Sequence, residues 1–343
     1  MRPVITFILV LLVAAVVGTS ALAARGDGAP GDADVEFVPC DPAKVLGPDS
    51  CMKCHTGEVQ QWQQTPHFAT FDELHRKPEA KAMADKLGLR RVKRNDQCLK
   101  CHYTTQMDDG QPRIIAGVSC ESCHGAARDW VVMHSEYGGA SASKASESAE
   151  HRKARIEQSI AAGMNNPANP YLVARQCLAC HTSPDERLVN VGGHASGSAE
   201  FELVAWSQGK VRHNFLRTGG TANALSSPER LRVMYIVGVM ADLEASLRAT
   251  AVATAKAPFG VNAAKRGARR KRDLYAISQL VDNPQVKQAI GAALDVRLQL
   301  NNREALIAAA DEIGRAAHEF AATADGTSLG AVDQFLPKTN AYK

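Results

Sequence analysis

Eight of the nine cysteines in the chain fall into four copies of one pattern, Cys-x-x-Cys-His. The copies begin at Cys51, Cys98, Cys120 and Cys177; their second cysteines are Cys54, Cys101, Cys123 and Cys180. Their histidines are His55, His102, His124 and His181. The spacing has a chemical reason. Two thiols separated by two residues reach one edge of a porphyrin and add to its two vinyl groups. The next residue then lies under the iron, where its imidazole becomes the proximal ligand. One such motif alone would also suit a zinc knuckle or a redox dithiol. Eight cysteines could build two four-cysteine zinc sites, but that leaves the identical placement of four histidines without a reason. The sequence therefore predicts four covalently bound haem c groups.

A haem iron held by one histidine needs a sixth ligand or stays open. Seven histidines remain outside the motifs, and three follow a motif at similar distance. His67 is 12 residues after His55, His134 is 10 after His124, and His194 is 13 after His181. His213, in Val211-Arg212-His213-Asn214, is the fourth candidate. Four proximal and four distal imidazoles allow four bis-histidine irons, with lower potentials than His/Met ligation would give. Sequence proximity does not decide which distal histidine serves which iron. His75, His151 and His318 lie in charged, helix-like stretches and read as surface residues. Met107, Met133 and Met164 show no repeated placement. The second and third motifs are closest in sequence and are expected to hold a closely packed pair. Trp62 and Trp130 flank candidate ligands and read as packing residues.

The elements that must carry these groups are mostly helical. Arg2, an apolar run from Val4 to Val17 and a small-residue site before Ala24 form a secretory signal over residues 1–23. Left uncleaved, it would be a short membrane anchor, since crossing takes about 20 apolar residues. A haem domain is expected over 24–225 and a helical domain over 226–343. In the latter, Ser227-Pro228 announces a helix carrying Ile236, Met240, Leu243 and Leu247 on one apolar face. Further helices are expected from about Arg269 to Asp282, from Asn283-Pro284 through Leu298, and from Asn302 to near Gly326. Together they read as a small bundle or helical hairpins. Six basic residues between Lys265 and Arg272 would suit an acidic partner, haem carboxylates or a lipid surface, or simply a solvated turn. Cys40 stands alone.

The motif set resembles the tetrahaem cytochrome c-554 family, which shares a haem-packing pattern with hydroxylamine oxidoreductases. The resemblance rests on Cys51-x-x-Cys54-His55 with Trp62 and His67, and on Gly117-Val118-Ser119 leading into the third motif with Gly125, Trp130 and His134. It continues through the turn-rich stretch Gly163 to Pro170 before the last motif, then Gly192-Gly193-His194 and the run from Phe201 to His213. It covers roughly residues 50 to 216. It implies a mostly α, loop-rich multihaem domain with a periplasmic electron-transfer role. Hydroxylamine oxidation as the electron source is a family analogy only. Two features depart from the family: the helical tail, and enough histidines to close every iron.

Composition agrees with a folded protein. Apolar residues make up 45%, charged residues 22%, and the formal charge is +4, which excludes a disordered, collagen-like or polytopic membrane chain. Ionised haem carboxylates would offset that charge, so it does not argue for an anionic partner. The leading expectation is an electron carrier between a redox protein donor and acceptor, without catalytic residues and without nucleic acid. The alternatives are an oxidoreductase acting on a small nitrogen or sulfur compound at an open haem, with Tyr103 near it, and a docking subunit of a membrane-associated respiratory complex.

Overall fold

The computed structural model describes residues 40–139 and 141–343; the expected signal segment lies outside the described residues. Short helices separated by loops build the first part. They are α1 (Pro48–Met52), α2 (Thr56–Trp62), α3 (Pro66–Glu73), α4 (Pro78–Lys86), α5 (Asp96–His102) and α6 (Cys120–His124). After a loop come α7 (Ala149–Ala161), α8 (Pro170–His181), α9 (Glu186–Asn190) and α10 (Leu203–Ser207). Four longer helices complete the chain: α11 (Pro228–Val252), α12 (Pro258–Ser278), α13 (Pro284–Leu294) and α14 (Arg303–Thr323). The protein is mostly α and loop-rich, as the sequence predicts.

Local chemistry sets the starts. Thr65, Asn95, Asn169, Asp185, Ser227 and Asn283 each accept a first-turn backbone N–H through the side chain. Proline occupies the first turn of α3, α8, α11 and α13, where no N–H is needed. Three motifs are helix ends: α5, α6 and α8 each stop at the motif histidine. The first motif straddles the turn between α1 and α2, with His55 at the N-cap of α2.

One hairpin interrupts the helices: β1 (Thr104–Asp108) pairs antiparallel with β2 (Gln111–Ala116). Its two turn residues, Asp109 and Gly110, both have positive φ, at 48° and 73°. Asp-Gly is the dipeptide that tolerates this tight, twist-matched turn. The hairpin returns the chain to its start. Thr104, two residues past the second motif, bonds through its hydroxyl to Gly117 O at 2.8 Å and Ser119 Oγ at 2.9 Å, at the entry to the third.

The main apolar core sits around α11, which packs against α14, α12 and α8. Ile236, Met240 and Leu243 are fully buried, but burial extends around most of α11 rather than along one face. Phe320, Ile313 and Leu306 of α14 close one side. Tyr171, Ala174 and Leu178 of α8 belong to the same core, so the fourth motif is built onto the C-terminal helices. α12 begins eleven residues before the expected Arg269, because Pro258 rather than the basic run opens it. That run therefore lies inside a helix, not in a turn. α13 ends at Leu294, leaving Leu298 beyond it but still packed on the core. Among the described residues no helix is long and apolar enough to cross a membrane.

Because Phe320 is fully buried in this shared core, Phe320→Ala should cost about 3–5 kcal/mol. Chemical denaturation checks it through a lower midpoint at unchanged slope. A loss below about 1 kcal/mol would mean that α14 does not carry the core.

Candidate metal centres

The fold brings the eight expected ligand histidines into four pairs. Ring centroids lie 6.2 Å apart for His55 with His134, 6.2 Å for His67 with His181, and 6.2 Å for His102 with His194. They lie 6.1 Å apart for His124 with His213. Each pair joins one motif histidine to one distal candidate. None of the pairs follows sequence proximity: His67 faces the fourth motif, His134 the first and His194 the second. An imidazole nitrogen sits about 2 Å from a metal. Two such bonds in line, plus two ring radii, come to about 6 Å between ring centres. The pairs therefore have the spacing of two imidazoles facing one iron.

Hydrogen bonds at the second ring nitrogen fix which nitrogen faces the gap. Nδ1 of His134 lies 2.5 Å from Val131 O, that of His213 2.7 Å from Val211 O, and that of His194 2.8 Å from Ala195 O. His124 Nδ1 lies 3.3 Å from Asn165 O, and His181 Nδ1 lies 3.0 Å from Ser198 Oγ. A carbonyl partner at Nδ1 accepts the ring proton there and leaves the Nε2 lone pair available to a metal. Burial acts in the same direction. Desolvation, reinforced by neighbouring imidazoles, pushes His102, His124 and His181 down to about 4. Burial also lowers His67 and His134. Neutral imidazole is the ligating form.

The motif thiols sit against one another in an order the sequence does not show. The Cys51 and Cys120 thiols are hydrogen-bonded neighbours, joining motifs one and three. Cys101 and Cys180 are likewise neighbours, joining motifs two and four. Cys123 of the third motif lies near enough to raise both Cys177 and Cys180 of the fourth. Side-chain adjacency thus runs one, three, four, two, not from the second motif directly to the third. Among the described residues, no group of three or more His, Cys, Asp or Glu converges on a metal-ion site. The four-cysteine zinc arrangement is not what the fold builds.

The residues also fit a large cofactor bearing carboxylates. Two buried donors without a partner belong to tryptophans whose rings pack on paired histidines, Trp130 Nε1 with His134 and Trp206 Nε1 with His181. Tyr103 Oη and Arg212 Nε, on the chain neighbours of His102 and His213, are also buried without a partner. A buried polar group left unpaired costs about 1–3 kcal/mol. A porphyrin with two propionates would supply acceptors.

The remaining histidines are not in facing pairs with a motif. His151 is held by Glu147 and Glu136, and His318 sits edge-on to Tyr171. Trp62 donates to Val118 O at 2.8 Å, tying α2 to the third motif. The sequence reading missed the supports. Glu121, an unspecified position of the third motif, is buried and accepts from Leu46 N, Gly47 N and Ala127 N. Cys40 donates to Glu121 O at 2.7 Å, and burial pushes its thiol up to about 12. Asn165 holds motif three through three bonds: its side chain donates to Cys123 O, its backbone N–H donates to His124 O at 2.8 Å, and its carbonyl faces His124 Nδ1. Only the turn-rich character of 163–170 hints at that role.

Residues 50–125 match the family model described as "Cytochrome c554 and c-prime". That segment holds the first three motifs and is similar there to c-type cytochromes, a class that binds haem c covalently. The chain is cytochrome c554-like there. It is similar to "Cytochrome c-554" of Nitrosomonas europaea, 30% identical over 107 residues. The match covers 28% of this chain and 44% of that protein, so the chain spans less than half of the curated relative. No solved structure matches the chain.

Gly125, directly after the third motif, has φ +84° and would place a Cβ 2.3 Å from Gly163 O. Gly125→Ala should therefore push back the loop that carries Asn165 and cost about 1–3 kcal/mol. Thermal unfolding followed by circular dichroism tests it; an unchanged transition would show that this close approach is not needed.

Proposed function

We propose that the protein is an exported tetrahaem c-type cytochrome that carries electrons between redox partner proteins, with every iron held by two histidines. The observation that carries this reading is the set of four ring pairs at 6.1–6.2 Å. Bound haem c would supply a reversible one-electron iron couple. The chain's own residues do the rest. Cys51, Cys54, Cys98, Cys101, Cys120, Cys123, Cys177 and Cys180 anchor the four groups. His55, His102, His124 and His181 would each hold one iron, with His134, His194, His213 and His67 respectively as the second imidazole of each pair. The backbone and Ser198 partners at Nδ1 hold several of these rings in orientation, so a change of iron charge requires little movement.

Two imidazoles per site would favour electron transfer over substrate chemistry, because the second histidine of each pair would leave no open position for a substrate. The thiol contacts order the sites one, three, four, two, which favours a continuous relay over four isolated centres. Location outside the cytoplasm rests on the N-terminal signal, and in a periplasm the partners would be soluble redox proteins or a membrane-associated respiratory complex.

Attached haem counted by intact mass, with electron paramagnetic resonance of the oxidised protein, tests this directly. The expected result is four covalent haems, all low-spin. A stoichiometric high-spin signal would overturn full coordination. His134→Ala should create one high-spin centre. That signal should vanish when Cys51→Ser and Cys54→Ser remove the first attachment site as well. Its persistence would break the pairing of His134 with His55.

A further inference from the structure

Two arginines of the basic run of α12 are turned inward, while Lys265 and Arg272 are exposed. Arg266 and Arg270 are each 8% exposed, and Asp242 of α11 is 1% exposed. Arg266 Nε donates to Asp242 Oδ1 at 2.5 Å, and Arg270 Nε donates to Asp242 Oδ2 at 2.6 Å. One carboxylate thus serves two buried guanidinium groups. Arg270 reaches a second, Asp273, which is partly exposed. Charges this deep carry a desolvation penalty of several kcal/mol per ion. Well-packed apolar side chains of similar volume often do as well or better for stability. Stability alone is a weak reason for this cluster.

Apart from the Ser246 hydroxyl, which donates to Asp242 Oδ1 at 3.4 Å, its other contacts lead to the fourth motif and the segment that follows it. Arg266 Nη1 donates to His181 O at 3.0 Å and Ser198 O at 3.1 Å. Arg269 donates to Ala199 O at 2.6 Å, and Arg270 to Phe201 O at 2.7 Å. Three arginines on one helix thereby clamp the short segment 198–201. That segment is laid over His181: Ser198 Oγ is at its Nδ1, and the Phe201 ring stacks on it at 5.0 Å.

We propose that Arg266, positioned by Asp242, is an electrostatic control on the fourth haem site, raising its reduction potential through buried positive charge fixed at the backbone of its proximal ligand. The inference rests on the tetrahaem reading above. Positive charge near an iron favours the ferrous form, which carries one positive charge fewer. A guanidinium is suited to the task because it stays charged when buried.

Spectropotentiometric titration of the full-length holoprotein tests the proposal. In Arg266→Met, one of four components should fall by about tenfold in its equilibrium constant, 59 mV for a one-electron couple. The low-spin spectrum should remain. Arg266→Lys should stay near the parent protein, and Asp242→Asn should move the same component upward. That component should be the one lost when Cys177 and Cys180 are replaced by serine. Four low-spin haems with unchanged potentials in Arg266→Met would overturn the proposal while leaving the tetrahaem reading intact. Failure of both Arg266→Met and Asp242→Asn to accumulate, with Arg266→Lys normal, would also overturn it and leave a folding role. Fewer than four low-spin haems in the parent protein would sink both.

Discussion

Ring separations near 6 Å also occur in ordinary packing here, between Tyr171 and His318 and between Tyr235 and Phe335, so what distinguishes the four imidazole pairs is that each joins one motif histidine to one distal histidine. Each pair also joins residues far apart in sequence. Bringing them together carries the entropy cost of closing a long loop. A shared iron would repay that cost with two coordinate bonds, and covalent attachment would make it permanent. The paths of α2, α3 and the loops after α6 and α9 follow from this requirement. His67 must leave the first motif and reach the fourth; His194 must leave the fourth and reach the second. The crossing of distal ligands between motifs laces the region into one body.

The distribution of apolar burial supports the same dependence. The large core lies among α8, α10 and the four C-terminal helices. Among the described residues before α8, the buried apolar cluster is small, formed by Ala84, Val92 and Tyr103 with partly buried neighbours. A segment with so little core of its own needs staples, as small metal-bound and disulfide-bound domains do. The porphyrins would be both staple and core. This accounts for the low aromatic content, and for short helices that end on motif histidines instead of continuing into apolar stripes.

What could be read from the sequence divides along physical lines. The motif cysteines stood out because the chemistry expected of them fixes their spacing. The histidines that stand opposite the motif histidines stood out as a set, because few histidines remained. Their partners did not, since pairing depends on where loops return. The caps Ser227 and Asn283 marked two helices correctly, being local signals. The hairpin was missed although Asp109-Gly110 stands at its turn; attention to motifs hid an ordinary turn signal. Arg266 and Arg270 read as surface charge because nothing local distinguishes a buried arginine from an exposed one. Only Asp242, more than a turn of helix away on another element, decides it.

The four sites are consequently not equivalent. The first and third are held by helices of five to seven residues and by loop carbonyls such as Val131, Asn165 and Val211. The fourth stands at the end of a twelve-residue helix whose inner face belongs to the main core, and its proximal histidine is clamped by an arginine-bearing helix. Sites on packed helices are held more tightly than sites on loops. A tightly held iron site with fixed positive charge nearby would reorganise little and keep a set potential. Placed third in the order of adjacency, it would stand inside the relay rather than at an end. The C-terminal helices would then govern electron flow from within the haem array, without needing to touch a partner protein.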